Sequence, residues 1–462
     1  MRIYPGSRVI ACLAWAALMM PSLAAADRYL VHTESSDDFA RVATRYNLTV
    51  VGTVPSQNLY VVAPPTGAQA NLSQQLGMAP GVASVEDDQE VTLPPNPAPP
   101  PLALPSSLLN YLSNTAPTTF YGSLVRSGYI EQPATWIIDL DPAHAQFPVN
   151  GSVVAVIDTG VDPTHPAFAN SLVPGYDFVH NVAGIPSELA DLSQSTVAIL
   201  DQSTVAILDS KNDPLVLNQS TVAILDQSTV AILDGQQLPG SFGHGTMVSG
   251  LVHLVAPDAM IMPLKAFTAD GTARLSDVIR AIYYAADNGA MVINMSFSFS
   301  DPSPDLQQAI AYAIAKGVTP VAAVGNSGRE TMVYPAGFQG VIGVASTNNS
   351  DTRSLFSNYG DVARVSAPGE SLITLYPGNN YAMVSGTSFS APLVSGTVAL
   401  MKWLVPGMTP QYAMGALRKG RRVAESIGSA RLDVLNSLLY CSQYQQSQTE
   451  GSDDSEDDGG DD

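Results

Sequence analysis

Apolar runs of strand length alternate with segments of helical periodicity between residues 136 and 439. The runs at 153–157 and 318–324 are nearly continuous and apolar, as expected of strands buried on both faces. Segments 275–287 and 306–316 carry apolar residues at helical spacing, and a glycine follows each. The alternation predicts an α/β fold with a doubly wound, mostly parallel sheet, whose site lies at the carboxyl ends of the strands. The same pattern predicts strands at 259–264 and 291–295 and a long apolar helix at 388–404.

A small separate domain is predicted over residues 27–92. Strand patterns at 29–32, 48–54, 59–63 and 82–86 are interleaved with helical patterns at 37–46 and 71–76. This β-α-β-β-α-β order is the ferredoxin-like α+β arrangement. Residues 93–110 are rich in proline and predict an extended linker between this domain and a large domain at 111–440.

Residues 1–26 have the pattern of a secretory signal peptide. Arg2 and Arg8 precede a short apolar stretch at 9–20, and Ala24–Ala26 are small residues suited to cleavage. No later segment is apolar and long enough to predict a transmembrane anchor. We therefore expect a secreted protein, with retention in the periplasm or at the cell surface left open.

The composition narrows the function further. The chain has 462 residues, 45% of them hydrophobic, and a formal net charge of −21. Such an acidic balance argues against nucleic acid as a partner, because phosphate binding needs a basic surface. Part of the charge lies in 441–462, which predicts a disordered acidic tail. Only Cys441 remains once Cys12 leaves with the signal peptide, so no internal disulfide is expected, and we interpret Cys441 as inert.

An eight-residue repeat interrupts the α/β pattern between residues 194 and 234. The sequence Gln-Ser-Thr-Val-Ala-Ile-Leu-Asp occurs at 194–201, 202–209, 219–226 and 227–234. Its β-prone core predicts paired strands or a small stack, and the segment either binds a partner, gates a cleft, or is a tolerated surface insertion. Its aspartates imitate the end of the strand at 153–157, but none is followed by Thr-Gly, so we reject them as catalytic residues.

Three residues in separate glycine-flanked settings are candidates for nucleophilic catalysis. Asp158 ends an apolar strand and precedes Thr-Gly, His244 lies in Gly-His-Gly-Thr, and Ser388 lies in Gly-Thr-Ser-Phe-Ser-Ala-Pro at a predicted helix start. A serine hydroxyl needs a base to take its proton and a carboxylate to orient that base. The helix start also favours developing negative charge.

These motifs, in the order Asp, His, Ser, resemble those of the subtilisin-like serine proteases, also called subtilases or peptidase family S8. Residues 27–92 resemble the inhibitor I9-type propeptide of that family. The resemblance implies Asp158, His244 and Ser388 as the catalytic triad and Asn326, in Val-Gly-Asn-Ser-Gly, as an oxyanion-hole donor. It implies a substrate strand and a specificity pocket formed by Ser296, Phe297, Ser298, Val333, Tyr334, Pro335 and Ala336.

The resemblance further implies protein or peptide substrates, the chain's own propeptide as intramolecular inhibitor, and chemistry that requires no cofactor. Several positions depart from the family pattern. Phe389, Met247 and Leu393 replace residues near the triad, which we expect to alter core packing alone. Ala167 stands where an acidic calcium ligand is common, so structural calcium is doubtful. No carboxylate falls on the pocket positions, and Ser298 replaces a glycine, which predicts small or medium apolar P1 residues.

The sequence therefore predicts a secreted serine endopeptidase made as a self-processing zymogen. One alternative is a secreted binding or adhesion protein that keeps an inactive protease fold and acts through its repeats. Another is an acid-active serine-carboxyl peptidase, which would need a glutamate base in place of His244. The natural substrate, the processing site and the oligomeric state are left open.

Overall fold

The computed structural model describes residues 28–67, 71–93, 110–111, 113–192, 222–224 and 239–453. The predicted signal peptide, most of the linker, most of the repeat segment and the end of the acidic tail lie outside these residues. The chain divides into two compact units, Met1–Asp88 and Gln89–Asp462.

The small unit is a four-stranded antiparallel sheet with two helices and its own apolar core. The strands are β1 (Tyr29–Thr33), β2 (Thr49–Val54), β3 (Leu59–Ala63) and β4 (Val82–Asp87), in the order β2-β3-β1-β4, and the helices are Ser36–Tyr46 and Leu72–Gly77. Ser35 caps the first helix by accepting from the Asp38 N–H, which satisfies a donor that the helix leaves free. Phe39 and Leu76 from the helices pack with Tyr29 and Val31 of β1. The β-α-β-β-α-β order expected from the pattern is present.

The large unit is built on an eight-stranded sheet, parallel throughout except at one edge. Its order is β10 (Val182–Gly184), β9 (Gly175–Asp177), β12 (Ile261–Lys265), β8 (Val154–Asp158), β14 (Val292–Met295), β15 (Thr319–Ala323), β16 (Ile342–Thr347) and β17 (Val365–Pro368). Only β10 pairs antiparallel within this sheet. The predicted doubly wound, mostly parallel α/β sheet is confirmed.

Two buried helices carry the candidate site. The histidine helix (His244–Val255) and the serine helix (Thr387–Leu404) are apolar around nearly their whole circumference, as helices inside a large core are. They pack with each other, and the apolar residues of β8, β15 and β16 belong to the same core. The remaining α-helices in the described residues of the large unit are Ser127–Ile130, Pro133–Ile137, Leu140–Gln146, Leu275–Asp287, Pro304–Ala315, Pro410–Leu417 and Val434–Asp453.

Smaller sheets surround this core. They comprise the hairpin of β6 (Pro117–Phe120) and β7 (Ser123–Arg126), the pair β5 (Glu90–Thr92) and β13 (Thr272–Arg274), and the sheet β11 (Val222–Ile224), β19 (Asn380–Val384) and β18 (Leu372–Tyr376). Strand β11 belongs to the third repeat and pairs antiparallel with β19. No helix in the described part of the chain has the length and hydropathy to cross a membrane.

Two boundaries differ from those drawn from the sequence. Strand β5 belongs to the large unit, because its backbone pairs with β13 rather than with the small sheet. The last helix continues to Asp453 through a segment assigned to the acidic tail. Cys441 in that helix is buried in the main core, and burial raises the pKa of its thiol to about 12, as expected of an inert cysteine.

Candidate active site

The candidate residues lie where adjacent parallel strands end. Asp158 is the last residue of β8, Ser296 directly follows β14, and Asn326 follows β15 after a short turn. Strands β8, β14 and β15 are neighbours in the sheet, so their carboxyl ends form one edge. The start of the serine helix is bonded to this edge. The sheet therefore collects residues that are far apart in the sequence, at the position expected for a site in such folds.

Asp158 and His244 form a buried pair. The His244 Nδ1 lies 2.7 Å from Asp158 Oδ1, which also accepts from the Thr159 N–H at 2.8 Å. Burial by itself would lower the pKa of His244, but the charge and hydrogen bond of Asp158 outweigh it, and the pKa is raised. This arrangement fixes the tautomer with Nδ1 protonated and Nε2 free to accept a proton.

The backbone before His244 requires a glycine. Gly243 has φ +87°, in the left-handed region that glycine adopts at little cost. A Cβ there would lie 2.5 Å from a ring carbon of Tyr376. The Gly-His-Gly-Thr motif thus sets both the start of the histidine helix and the close packing around the imidazole.

Ser388 is held by reciprocal hydrogen bonds to Ser296. The Ser388 Oγ donates to the Ser296 carbonyl at 2.9 Å, and the Ser296 Oγ donates to the Ser388 carbonyl at 2.7 Å. The second bond is possible because Pro392, four residues later, has no N–H to offer the Ser388 carbonyl. The helix begins at Thr387, so Pro392 lies inside it and not in its first turn.

The Ser388 hydroxyl is thus directed at the Ser296 carbonyl in this state, not at His244. The next residue, Phe389, packs on the imidazole of His244 with ring centroids 5.4 Å apart, so the two helices meet at this point. A hydrogen bond from the Ser388 hydroxyl to His244 requires the side chain to rotate about its Cα–Cβ bond. Catalytic hydrogen bonds are often long or misdirected without substrate and tighten when it binds.

Asn326 is oriented by its carbonyl oxygen and keeps its amide group free. Its Oδ1 accepts from the Thr387 N–H at 2.9 Å and from the Thr387 Oγ at 2.8 Å. Its Nδ2 is buried and has no hydrogen-bond partner among the described residues. A buried donor without a partner is costly and rare in proteins. Its place beside the start of the serine helix suits an acceptor brought by a ligand.

The predicted pocket segments are brought together by a backbone bridge. Phe299 and Tyr334 exchange N–H···O bonds of 2.7 and 2.9 Å, which joins segment 296–298 to segment 333–336. Phe297 is fully buried against Phe267, so its side chain belongs to the core. Of the remaining predicted pocket residues, Ser298 and Tyr334 are partly exposed, whereas Val333, Pro335 and Ala336 are buried.

The chain's own segment β5 lies in a groove that Ser298 also lines. β5 adds antiparallel to β13, with Val91 opposite Ala273, and the Leu93 N–H donates to the Gly271 carbonyl at 2.7 Å. The adjoining cavity, of about 320 Å³, is lined by 89–92 on one side and 298–301 on the other. In this structure β5 pairs with β13, and Ser298 of the predicted substrate segment 296–298 lines the adjoining cavity.

The positions that depart from the family pattern, Met247, Phe389 and Leu393, are buried in the main core as expected. His165 and His253 are buried as well. Burial lowers the pKa of His165 to about 4 and that of His253 to about 3. Across the described ranges, no group of three or more His, Cys, Asp or Glu side chains is arranged to hold a metal ion.

Glu188, which no sequence motif singles out, lies buried beside the Asp158–His244 pair. Its Oε1 accepts from the Gly245 N–H at 3.0 Å and from the Thr159 hydroxyl, and its Oε2 accepts from the Thr246 hydroxyl. It begins a short turn that precedes the repeat segment, far in sequence from the motifs it contacts. No spacing in the sequence links Glu188 to the Asp158 and His244 motifs, and only the burial of its carboxyl group in the structure identifies it.

One edge of the α/β sheet holds an Asp–His pair, a serine at a helix start and a free asparagine amide. This combination defines the class of doubly wound serine hydrolases. A family model described as the subtilase family matches residues 149–422. This range contains all four residues, and the chain belongs to the subtilase family.

Similar proteins agree with this assignment. A thermophilic serine proteinase of Bacillus sp. (strain AK1) is 34% identical over 262 residues, which cover 54% of this chain and 52% of that protein. Thermitase of Thermoactinomyces vulgaris is 32% identical over 262 residues, which cover 54% of this chain and 75% of thermitase. The chain thus spans about half the length of the Bacillus proteinase. The solved structure of fervidolysin from Fervidobacterium pennivorans has a TM-score of 0.62 and 21% sequence identity to this chain. The match covers 89% of this chain and 61% of the fervidolysin chain, and it supports the fold.

Proposed function

We propose that this protein is a secreted serine endopeptidase that hydrolyses peptide bonds with Asp158, His244 and Ser388 as catalytic triad and Asn326 as oxyanion-hole donor. The observation that carries the proposal is the buried Asp158–His244 hydrogen bond of 2.7 Å, which joins the end of β8 to the start of the histidine helix. A purely structural histidine does not require a raised imidazole pKa, and a purely structural asparagine does not require a buried amide without a partner.

The proposed reaction begins when substrate binds and the Ser388 hydroxyl rotates toward His244 Nε2. The Oγ attacks the scissile carbonyl carbon while its proton passes to Nε2, and Asp158 stabilises the imidazolium. The oxyanion accepts from Asn326 Nδ2 and from the backbone N–H of Ser388. The C–N bond then breaks as His244 gives its proton to the leaving amine, and a water molecule releases the acyl group from Ser388 by the same steps.

We further propose that the chain is made as a zymogen with a signal peptide at 1–26 and an inhibitory propeptide at 27–92. The addition of β5 to β13 supports this proposal, because peptide segments commonly bind proteins by adding a strand to a free edge. Val91 is buried there, and Ser298 lines the same groove. The strand therefore occupies the surface on which a substrate strand would lie.

The expected P1 preference is for small or medium apolar residues. Among the described residues that form the pocket segments there is no carboxylate at 296–298 or 333–336, so a basic side chain would gain no partner. A peptide library digested with the mature enzyme measures this preference. Cleavage after arginine, lysine or large aromatic residues would contradict it.

Covalent labelling tests the proposed nucleophile directly. A fluorophosphonate reacts with a serine only when a base activates it, so we expect one adduct, located at Ser388 by peptide mass spectrometry. A Ser390→Ala variant is the matched control, since Ser390 lies in the same motif and donates to the Pro368 carbonyl. An adduct on another serine, or an unchanged Ser388 peptide in a protein that cleaves peptides, would refute the assignment.

A further inference from the structure

We propose that Glu188 is a positioning residue for the triad. Its buried carboxyl group fixes the residues that follow Asp158 and His244, and its negative charge supports the protonated imidazole during the reaction. The inference rests on the proposed function, because it assigns Glu188 a role in the same site.

A single carboxyl group joins the end of strand β8 to the start of the histidine helix. One oxygen accepts from both the Thr159 hydroxyl and the Gly245 N–H, and the other accepts from the Thr246 hydroxyl. Thr159 immediately follows Asp158, and Gly245 immediately follows His244. Glu188 therefore ties the residue after Asp158 to the residue after His244, which restricts the distance between the carboxylate and the imidazole.

The backbone around Glu188 is fixed equally well. The Glu188 N–H donates to the Val161 carbonyl at 3.1 Å, and the Val161 N–H donates to the Pro186 carbonyl at 3.1 Å. A Cβ on Gly160 would lie 3.2 Å from the Glu188 nitrogen, and one on Gly245 would lie 2.1 Å from the Gly160 oxygen. Gly160 thus allows the acidic turn (Glu188–Asp191) to approach the segment after Asp158, and Gly245 allows the start of the histidine helix to approach that same segment.

A second carboxylate in the acidic turn anchors Thr159 from its other side. Asp191 Oδ2 accepts from Lys265 Nζ at 2.7 Å and from the Ala269 N–H at 2.6 Å. The same ammonium donates to the Thr159 carbonyl at 2.7 Å. Thr159 is therefore held through its hydroxyl by Glu188 and through its carbonyl by Lys265, and both contacts come back to one turn.

The charged and titratable groups that face Glu188 are Asp158 at the end of β8, His244, Lys265 at the end of β12, and Tyr376 at the end of β18. Burial, and then Asp158, raise the pKa of Glu188 to about 7 against the hydrogen bonds of the two threonines and the charge of Lys265. Once ionised, Glu188 adds to Asp158 in raising the pKa of His244. Removal of its charge should thus lower the pKa of His244.

Two variants separate the charge from the contacts. Glu188→Gln keeps the size and most acceptors but has no charge, and Glu188→Ala removes both. We would measure kcat and KM between mildly acidic and alkaline pH for these variants, for Ser388→Ala, and for the exposed control Glu131→Gln. The His244 pKa would be measured by NMR in the Ser388→Ala background with and without Glu188→Gln, which requires no activity.

We expect Glu188→Gln to move the acid limb of kcat/KM and the NMR titration of His244 to lower pH. We also expect kcat at the plateau to fall by roughly tenfold, with KM nearly unchanged, because the imidazolium loses a neighbouring charge. Glu188→Ala should lose more of kcat, and the control should match the wild type.

The inference is overturned if folded Glu188→Gln keeps the wild-type pH profile and His244 titration, since a merely structural residue would do so. A shift in the His244 titration supports the inference whether or not the preparation is active. If Ser388→Ala cleaves peptides like the wild type, the proposed function fails instead, and the inference fails with it.

Discussion

Replacement of Asn326 gives the sharpest quantitative prediction of the site. Its Oδ1 accepts two hydrogen bonds from Thr387, while its buried Nδ2 has no partner among the described residues. Asn326→Asp keeps an oxygen for both Thr387 donors and replaces the amide donor by a second oxygen. The variant therefore removes the proposed oxyanion donor without removing the contacts that orient the side chain.

The size of the effect distinguishes a catalytic donor from an ordinary hydrogen bond. A neutral hydrogen bond contributes about 0.5–1.5 kcal/mol net. Loss of one oxyanion donor in a subtilisin costs roughly 2.7–4 kcal/mol in the transition state, or about 10²–10³ in kcat. We expect a fall of that size in kcat, with KM within about threefold of the wild type, because the donor acts on charge that appears only in the transition state.

Steady-state kinetics on a small apolar peptide substrate measures this effect. Asn326→Ala is a second variant, and it should also lower the free energy of unfolding by about 1–3 kcal/mol because both Thr387 donors lose their partner. Thr387→Val keeps the amide donor and should reduce kcat less than Asn326→Asp. If folded Asn326→Asp keeps kcat within about fivefold of the wild type, or changes KM alone, the reasoning is refuted.

Three further predictions concern stability, pH and inhibition. Lys265→Met in an inactive background should lower the free energy of unfolding in urea by about 3–5 kcal/mol, since it leaves the partly buried Asp191 carboxylate and the Thr159 carbonyl without the fully buried ammonium. The exposed Lys316→Met control should cost under about 1 kcal/mol, and equal effects would contradict the role given to Lys265. The acid limb of kcat/KM should lie above pH 6.5, the ordinary pKa of histidine, because His244 must be neutral to act as base and its pKa is raised. An acid pH optimum would instead favour a carboxyl group as the base in place of His244. Val91→Asp should weaken inhibition by β5 and shorten the lag before proteolytic activity appears. The same change at the exposed neighbour, Thr92→Asp, should not. An unchanged lag in Val91→Asp would refute the inhibitory role of β5.

Much of the fold follows from local patterns. Strands such as β8 and β15 are continuous apolar runs because both faces are covered, and the helix Leu275–Asp287 was placed at its observed bounds by its periodicity. The serine helix, predicted at 388–404, runs from Thr387 to Leu404. The place of Pro392 inside it could not be predicted, since it depends on a tertiary contact in which the Ser296 hydroxyl donates to the Ser388 carbonyl in place of the missing Pro392 N–H.

The candidate site divides in the same way. Asp158, His244, Ser388 and Asn326 each lie in a local motif, so the sequence could single them out. Glu188 lies in no motif, because its role arises from tertiary contacts with residues that follow two of those motifs. The strand β5 was likewise hidden, since pairing with β13 depends on chain geometry and not on its own short sequence.

The central claim is that Ser388, activated by His244 and Asp158, hydrolyses peptide bonds and matures its own chain. The most direct test compares purified wild type and Ser388→Ala by intact mass and by peptide cleavage near neutral pH. We predict that the wild type is shortened by cleavage near residues 91–110 and cleaves substrate, while folded Ser388→Ala is neither shortened there nor active on substrate. A Ser388→Ala protein that matures and cleaves like the wild type would contradict the account.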